Sequence, residues 1–378
     1  MENQQWVDAP SGRPRSFKDM MEPGVVSRPV GQDLTEREIR VLEAVVQAYV
    51  ETAEPAGSRS VARLSGLGVS AATVRNTMSD LEEKGYLSHP HTSAGRVPTD
   101  LAYRFHVDQL IRLPDLSAED QSTLLRELGG HGSTAVERLI QRAARAISLL
   151  SMELGVGLAP RLEAAVLERL ELLRVASNKV LLVATIRSGL ARTLYVDFEG
   201  EIPEDTLATL AVLLNERLVG LTLREVRETL PERLRDSRPD DSPVVEELLN
   251  IFIESGPELF NWSDLEEGEI LLGKTSLLAA QPEFNSGKSL KGLIELTERR
   301  DVLVDALSGR HEQSGLQITI GGENRHEELS DFTLVTSEYH VGGLKGVIGI
   351  IGPTRMPYEK VIAIVDSTSS LINRILGS

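Results

Sequence analysis

The chain has 378 residues, 41% of them hydrophobic, and a formal net charge of −17, which is enough for two or three domains with a substantial core. It contains no cysteine, which excludes disulfides, thiolate zinc sites and cysteine nucleophiles and fits a cytoplasmic protein. Its longest apolar runs, such as VLLVATI at 180–186, are strand-length and far short of the ~20 residues a membrane helix needs. The acidic total argues against nucleic-acid binding by the surface as a whole, though not by one local patch.

Residues 1–31 are rich in Pro, Gly and Ser and lack periodicity, so a disordered extension with no signal-peptide core is expected there. Order begins at Leu34. Thr35 is an N-cap with Glu38 three residues on, a capping box, and Leu34 with Ile39 makes a hydrophobic staple. Ile39, Leu42, Val45, Val46, Tyr49 and Val50 continue at helical spacing until Glu54-Pro55. Ser58 is expected to cap a short second helix through Val61 and Leu64. Gly66 and Gly68 make a turn, and Ser70 caps a third helix with Ala71, Val74, Met78 and Leu81 inward. Gly85 ends it. The following YLSHPHTSAGRVPT reads as two short extended pieces around a turn. Pro98-Thr99 then opens a helix carrying Tyr103, Val107, Leu110 and Ile111.

Residues 115–153 read as helical with a break at Gly129–Gly132. Val136, Ile140, Ala143, Ile147 and Leu150 are spaced 4-3-4-3. That spacing fits a short coiled-coil seam or, preferably, a helix packed on a sheet. Three β-rich runs at 170–175, 179–186 and 191–198 suggest an antiparallel meander. Helical patterns fill 203–311, strands return at LQITIGG, FTLVTSEYH and GVIGIIG, and a last helix follows Pro357. Strands, a helical block and more strands suggest one sheet domain with a helical insertion.

Three helices and a hairpin across 34–97 make a winged helix-turn-helix. From Pro55 to Ser79 the chain has Arg59, Arg63 and Arg75 but no acid. A carboxylate facing phosphate would weaken DNA binding, so the gap points to a DNA-facing surface. The third helix exposes Ser70, Thr73, Arg75 and Asn76. Arg suits the O6/N7 edge of guanine, Asn suits adenine N6/N7, and Ser or Thr suits either. Ser58 and Arg59 open the second helix, where backbone N–H groups and Arg suit phosphate. His91, Thr92, Ser93 and Arg96 are assigned to the wing, with Arg96 at its tip. The blander reading is a winged helix used for protein contacts or as scaffold.

The string EPAGSRSVARLSGLGVSAATVRNTMSDLEEKGYLSHPHTSAGRVPT resembles the DNA-binding domain of the heat-inducible transcription repressor HrcA family. FTLVTSEYHVGGLKGVIGIIGPTRMPYEKVI resembles that family's C-terminal signature and GKTSLLAAQPEF its insert motif, so the likeness spans about residues 32–376. Residues 1–31 fall outside it. Ala56 stands where the family usually has a larger β-branched residue, and Ala71 where Ser is frequent.

The resemblance implies an α+β chain of three parts: a winged helix (32–104), a GAF-like antiparallel-sheet domain in two pieces (105–202 and 312–378) and an inserted, mainly helical dimerising domain (203–311). It further implies a homodimer on an inverted-repeat operator upstream of chaperone operons, release on heat stress and modulation by the GroEL-type chaperonin. A GAF-like domain can hold a small effector, which would make a metabolite-responsive regulator. No polar cluster in an apolar pocket is legible, however, so a transmitting or stabilising role is preferred.

Other motifs carry less. Gly268–Thr275 satisfies G-x-x-x-x-G-K-[ST], and VIAIVD at 361–366 could pass for a Walker B strand. Bulky Ile270, Leu271 and Leu272 stand where a phosphate loop wraps closely, acids crowd its start, and VIAIVD has helical spacing. A P-loop enzyme is therefore disfavoured. His89 and His91 lack further ligands for a tetrahedral metal site. No catalytic constellation, cofactor or metal is expected.

Overall fold

The computed structural model describes residues 33–90, 95–110, 115–129, 136–160, 162–187, 191–197, 203–235, 243–260, 270–310, 315–341 and 343–376. The expected extension at 1–31 and the wing residues His91, Thr92 and Ser93 lie outside the described residues.

The N-terminal head is three helices and a hairpin. α1 (Glu36–Thr52) opens on the expected capping box: Thr35 N donates to Glu38 Oε2 at 2.7 Å, and Glu38 N donates to Thr35 Oγ1 at 3.3 Å. It stops at Ala53, whose φ of 56° is left-handed, just ahead of Glu54-Pro55. α2 (Ser58–Leu64) corrects one expectation. Gly57 is its N-cap and Ser58 is its first helical residue, with no side-chain cap. α3 (Ala71–Glu83) is capped by Ser70, which accepts from Thr73 N, and buries Val74, Thr77, Met78 and Leu81. Thr77 takes an inward place that the sequence reading gave to the half-buried Ala71. Gly85 follows the helix with φ 82°, a conformation that favours glycine. β1 (Leu87–Ser88) pairs antiparallel with β2 (Val97–Pro98).

Thr99 caps α4 (Asp100–Phe105), which runs into a π-helical turn, His106–Leu110. α5 (Ala118–Leu128) and α6 (Val136–Ser151) follow. Next comes β3 (Leu154–Leu158), a fully buried strand that the sequence reading missed. β4 (Leu167–Ala176), β5 (Lys179–Ile186) and β6 (Ala191–Asp197) form the expected meander. α7 (Glu204–Leu218), α8 (Leu223–Arg235) and α9 (Pro243–Leu259) come after it. The chain then runs through β7 (Ile270–Leu272), α10 (Thr275–Ala279), α11 (Gly287–Glu298) and α12 (Arg300–Ser308). It closes with β8 (Leu316–Ile320), β9 (Phe332–Val341), β10 (Leu344–Pro353) and α13 (Tyr358–Ile375).

Two separate sheets organise the rest, and the whole is α+β. The larger is antiparallel with strand order β7-β3-β10-β9-β8. α6 and α13 pack on one face, where Ile140 and Ile147 meet Val335, Ile348 and Ile350. α10, α11 and α12 cover the other, where Leu293 and Leu303 meet Val156, Leu334 and Ile351. The 4-3-4-3 helix is thus a helix packed on a sheet. Its close approach needs glycine: a Cβ on Gly155 would lie 2.0 Å from Ala144 O, and one on Gly157 2.4 Å from Ile140 Cγ2.

The meander forms the second sheet, in order β4-β5-β6. Its alternating Val180, Leu182, Ala184 and Ile186 share a core with Leu210, Leu214, Val226, Leu230 and Phe252 of α7, α8 and α9. The meander belongs with the helices that follow it, and β7 and α10–α12 belong with the larger sheet. A half-buried strand takes its place from what covers its apolar face, and here that cover is α7–α9.

Candidate nucleic-acid interface

The stretch from Pro55 to Ser79, which carries α2 and most of α3, contains no acid. Arg59 on α2 and Arg63 near its end are exposed, as are Arg75 and Asn76 on α3. None of these three arginines has an ion pair among the described residues. Ser70 is exposed and its hydroxyl lies 3.0 Å from Thr73 Oγ1, so the first turn of α3 carries two capped hydroxyls beside Arg75 and Asn76. The fold therefore gathers Ser70, Thr73, Arg75 and Asn76 on one helix, with Ser58 and Arg59 at the start of its neighbour. Ser70→Ala is expected to lower stability by about 1 kcal/mol, the usual worth of an N-cap, as a shift in the urea midpoint.

Arg96 does not lie at a wing tip. Its backbone pairs with Ala56 (Ala56 N to Arg96 O 2.8 Å, Arg96 N to Ala56 O 3.0 Å), so it stands at the base of the hairpin beside the α1–α2 connection. Its side chain is 14% exposed, with Nη2 2.7 Å from Glu82 Oε2, while His89 Nδ1 sits 2.6 Å from Glu82 Oε1. Glu82 thereby holds both arms of the hairpin to the far end of α3. The approach is so close that a Cβ on Gly95 would fall 2.4 Å from Ala56 O. The clamp role of Glu82 depends on a register that pairs residues seven and fourteen positions away.

The head is not tethered loosely. Arg355, between β10 and α13, donates to Val50 O at the end of α1 (2.7 Å) and to both Glu283 carboxylate oxygens. On α4, Arg104 donates to Glu323 (2.8 and 2.5 Å) and to Ile318 O of β8 (2.8 Å). Between these ties Tyr103 packs on Tyr358, ring centroids 5.8 Å apart. Burial pushes the His106 imidazole down to about 4, so it is neutral at physiological pH. Beneath Arg355, Glu153 is 2% exposed and its Oε2 has no hydrogen-bond partner. Burial pushes this carboxyl up to about 8, with Glu283 adding to the rise and Arg355 opposing it.

The phosphate-loop match is not a phosphate loop. Gly268 and Glu269 lie outside the described residues, and Ile270–Leu272 form β7, paired with β3. Lys274 is exposed, and its N–H donates to Ser148 Oγ at 3.1 Å. VIAIVD lies within α13. Among the described residues no group of three His, Asp or Glu could hold a metal, and no helix is long and apolar enough to cross a membrane.

Comparison with known proteins gives a consistent result. The family model described as the HrcA protein C-terminal domain matches residues 137–362. The heat-inducible transcription repressor HrcA of Chlorobium phaeobacteroides (strain BS1) is 38% identical over 354 residues, covering 91% of this chain and 99% of that protein. Its counterpart in Geobacter sulfurreducens is 34% identical over 349 residues, covering 91% and 98%. A crystal structure titled only as a hypothetical protein superposes with a TM-score of 0.59 at 20% identity, covering 91% of this chain and 99% of that one, a likeness of fold. The class is therefore a transcription repressor and not an enzyme. The chain belongs to the HrcA family, the heat-inducible transcription repressors.

Proposed function

We propose that this protein represses heat-shock (chaperone) operons by binding an inverted-repeat operator as a homodimer, acting in the cytoplasm. The observation that carries the reading is the acid-free stretch from Pro55 to Ser79 of the head, where Arg59, Arg63 and Arg75 are exposed and without ion pairs among the described residues and Asn76 stands beside Arg75 on α3. In this reading the head is a winged helix. α3 enters the major groove with Ser70, Thr73, Arg75 and Asn76 toward base edges. Ser58 and Arg59 meet phosphate. His91, Thr92 and Ser93 extend the wing along the backbone, and Arg96 braces it through Glu82. The larger sheet with its helices is the GAF-like part.

One such head reads too few bases for genomic specificity, so a second copy is required, with the two heads ~34–36 Å or a multiple of it apart on one face of DNA. The uncovered face of the meander suits that contact. Leu173, Leu181 and Tyr195 are aligned across the three strands, and Leu173 and Tyr195 are 51% and 62% exposed. Heat then acts through marginal stability: a loss of a few kcal/mol collapses the folded fraction. The GroEL-type chaperonin refolds or holds the repressor, and repression lapses when unfolded clients occupy it.

The test is binding of the purified protein to a labelled inverted-repeat duplex and to a scrambled one, over a salt series, before and after heating, with and without chaperonin. Tight binding to the repeat alone, steeply weakened by salt, lost on heating and restored by chaperonin, is expected. Equal weak binding to both duplexes overturns the reading.

A further inference from the structure

Between the end of α12 and the edge strand β8 lies a cavity of about 180 Å³. Arg310 lines it and is 7% exposed. Its Nη1 donates to Thr336 Oγ1 (2.9 Å) and Gln317 O (3.4 Å), and its Nη2 donates to Thr319 Oγ1. Every one of these acceptors is neutral. Among the described residues no carboxylate reaches this guanidinium. Burial lowers its pKa to about 10, so it is still charged at neutral pH. A buried, uncompensated cation is costly unless an anion completes it.

The carboxylates that line the cavity are already engaged. Asp305 Oδ2 lies 2.8 Å from His326 Nε2. Glu323 takes Arg104 and also accepts from Ile320 N at 2.9 Å. At the rim Arg325 is exposed and has no ion pair among the described residues. Its Nη1 hangs over the end of α12, 4.0 Å from where a Cβ on Gly309 would sit. Two guanidiniums without a carboxylate partner among the described residues, Arg310 deep and held by neutral acceptors and Arg325 at the mouth, therefore line one small cavity. Planar N–H forks of this kind match phosphoryl oxygens two at a time.

We propose that this cavity is a binding site for a phosphoryl group, with Arg310 as its floor and Arg325 as its closing arm. The volume suits inorganic phosphate or the terminal phosphate of a small monoester. Occupancy bears on the head through Glu323, which faces the cavity and holds Arg104 of α4. An anion beside Glu323 weakens its grip on Arg104 and so loosens the head against β8. That coupling rests on the repressor reading above; the binding itself does not.

The test uses the full chain. Thermal melts are run in inorganic phosphate, in glycerol 3-phosphate and in chloride of matched ionic strength and pH, and ³¹P line widths are followed on titration. A saturable rise in Tm at millimolar phosphate is expected, with line broadening, both largely abolished in Arg325→Ala and in Arg310→Gln. Arg325→Ala, at the exposed rim, keeps the test valid if Arg310→Gln fails to fold. A preference for glycerol 3-phosphate assigns the site to a monoester, and equal response assigns it to free phosphate. No rise, or the same unsaturating rise in all three proteins, overturns the site, because that is the signature of general salt exclusion. Adding an operator duplex tests the coupling. A phosphate-dependent change in affinity that Arg325→Ala lacks supports it, and unchanged affinity with phosphate bound overturns the coupling alone. Failure to bind operator under any condition overturns the repressor reading and leaves the site standing.

Discussion

Arg75→Ala is expected to weaken binding to the inverted-repeat duplex by ~1–3 kcal/mol, roughly 5- to 150-fold, while scarcely changing binding to a scrambled duplex. The reason lies in how α3 is built. Val74, Met78 and Leu81 fix its inward face in the core of the head, so Arg75 points outward whatever the DNA does. Its guanidinium has no ion pair among the described residues, so none is given up on docking. Removing a bidentate contact to a base edge costs discrimination, whereas removing a phosphate contact costs affinity evenly. Arg59→Ala supplies the contrast, weakening both duplexes alike and flattening the salt slope by about one unit. The measurement is fluorescence anisotropy on both duplexes at several salt concentrations. Loss of equal size on both duplexes for Arg75→Ala would move it from base reading to backbone contact.

Much of the head was legible because its signals are local. The capping box at Thr35 and Glu38, the N-cap at Ser70 and the left-handed Gly85 each span four residues or fewer, and the structure has all three. What the sequence hid is what depends on distant partners. β3 is five residues, Leu-Gly-Val-Gly-Leu, and its two glycines weaken any strand signal. They are there because α6 comes so near that Ala144 O and Ile140 would collide with a Cβ. The meander's three strands are legible, although β4 begins three residues before the 170–175 run suggests, and alternation gives which face is apolar and never which helices cover it. Arg96 was misplaced for the same reason. Its residue type suits DNA, but its pairing with Ala56 and Glu82 is set by contacts 40 and 14 residues away. The buried Arg310 had no sequence signal at all, since an arginine after a helix ordinarily faces solvent.

Glu153→Gln is expected to stabilise the protein at pH 8 by on the order of 2–4 kcal/mol and to do little at pH 5. Glu153 joins α6 to β3, directly beneath the tie that holds the head. Its carboxyl lies against Gly352, where a Cβ would come within 2.7 Å of Oε2. The charged groups facing it are Glu283 and Arg355, and Arg355 is committed to Glu283 and to Val50 O. Burial therefore leaves the ionised form poorly compensated and lifts the pKa from 4.5 to about 8. Between those values the folded chain keeps a proton that the unfolded chain has released. The stability this contributes is complete below about 4.5 and drains away as pH rises through about 8. Glutamine keeps the shape of the protonated carboxyl and cannot ionise, so the decline disappears with it. Urea unfolding of both proteins from pH 5 to 8.5 measures the difference, and parallel curves would exclude a buried proton at Glu153. The consequence for a heat-inducible repressor is direct. At neutral pH the junction between head and body is kept weaker than its packing allows, by one carboxyl next to the arginine that grips α1. A variant freed of that weakness should hold its operator to a higher temperature than the native chain, and the same duplex-binding assay run across a heating series reads it.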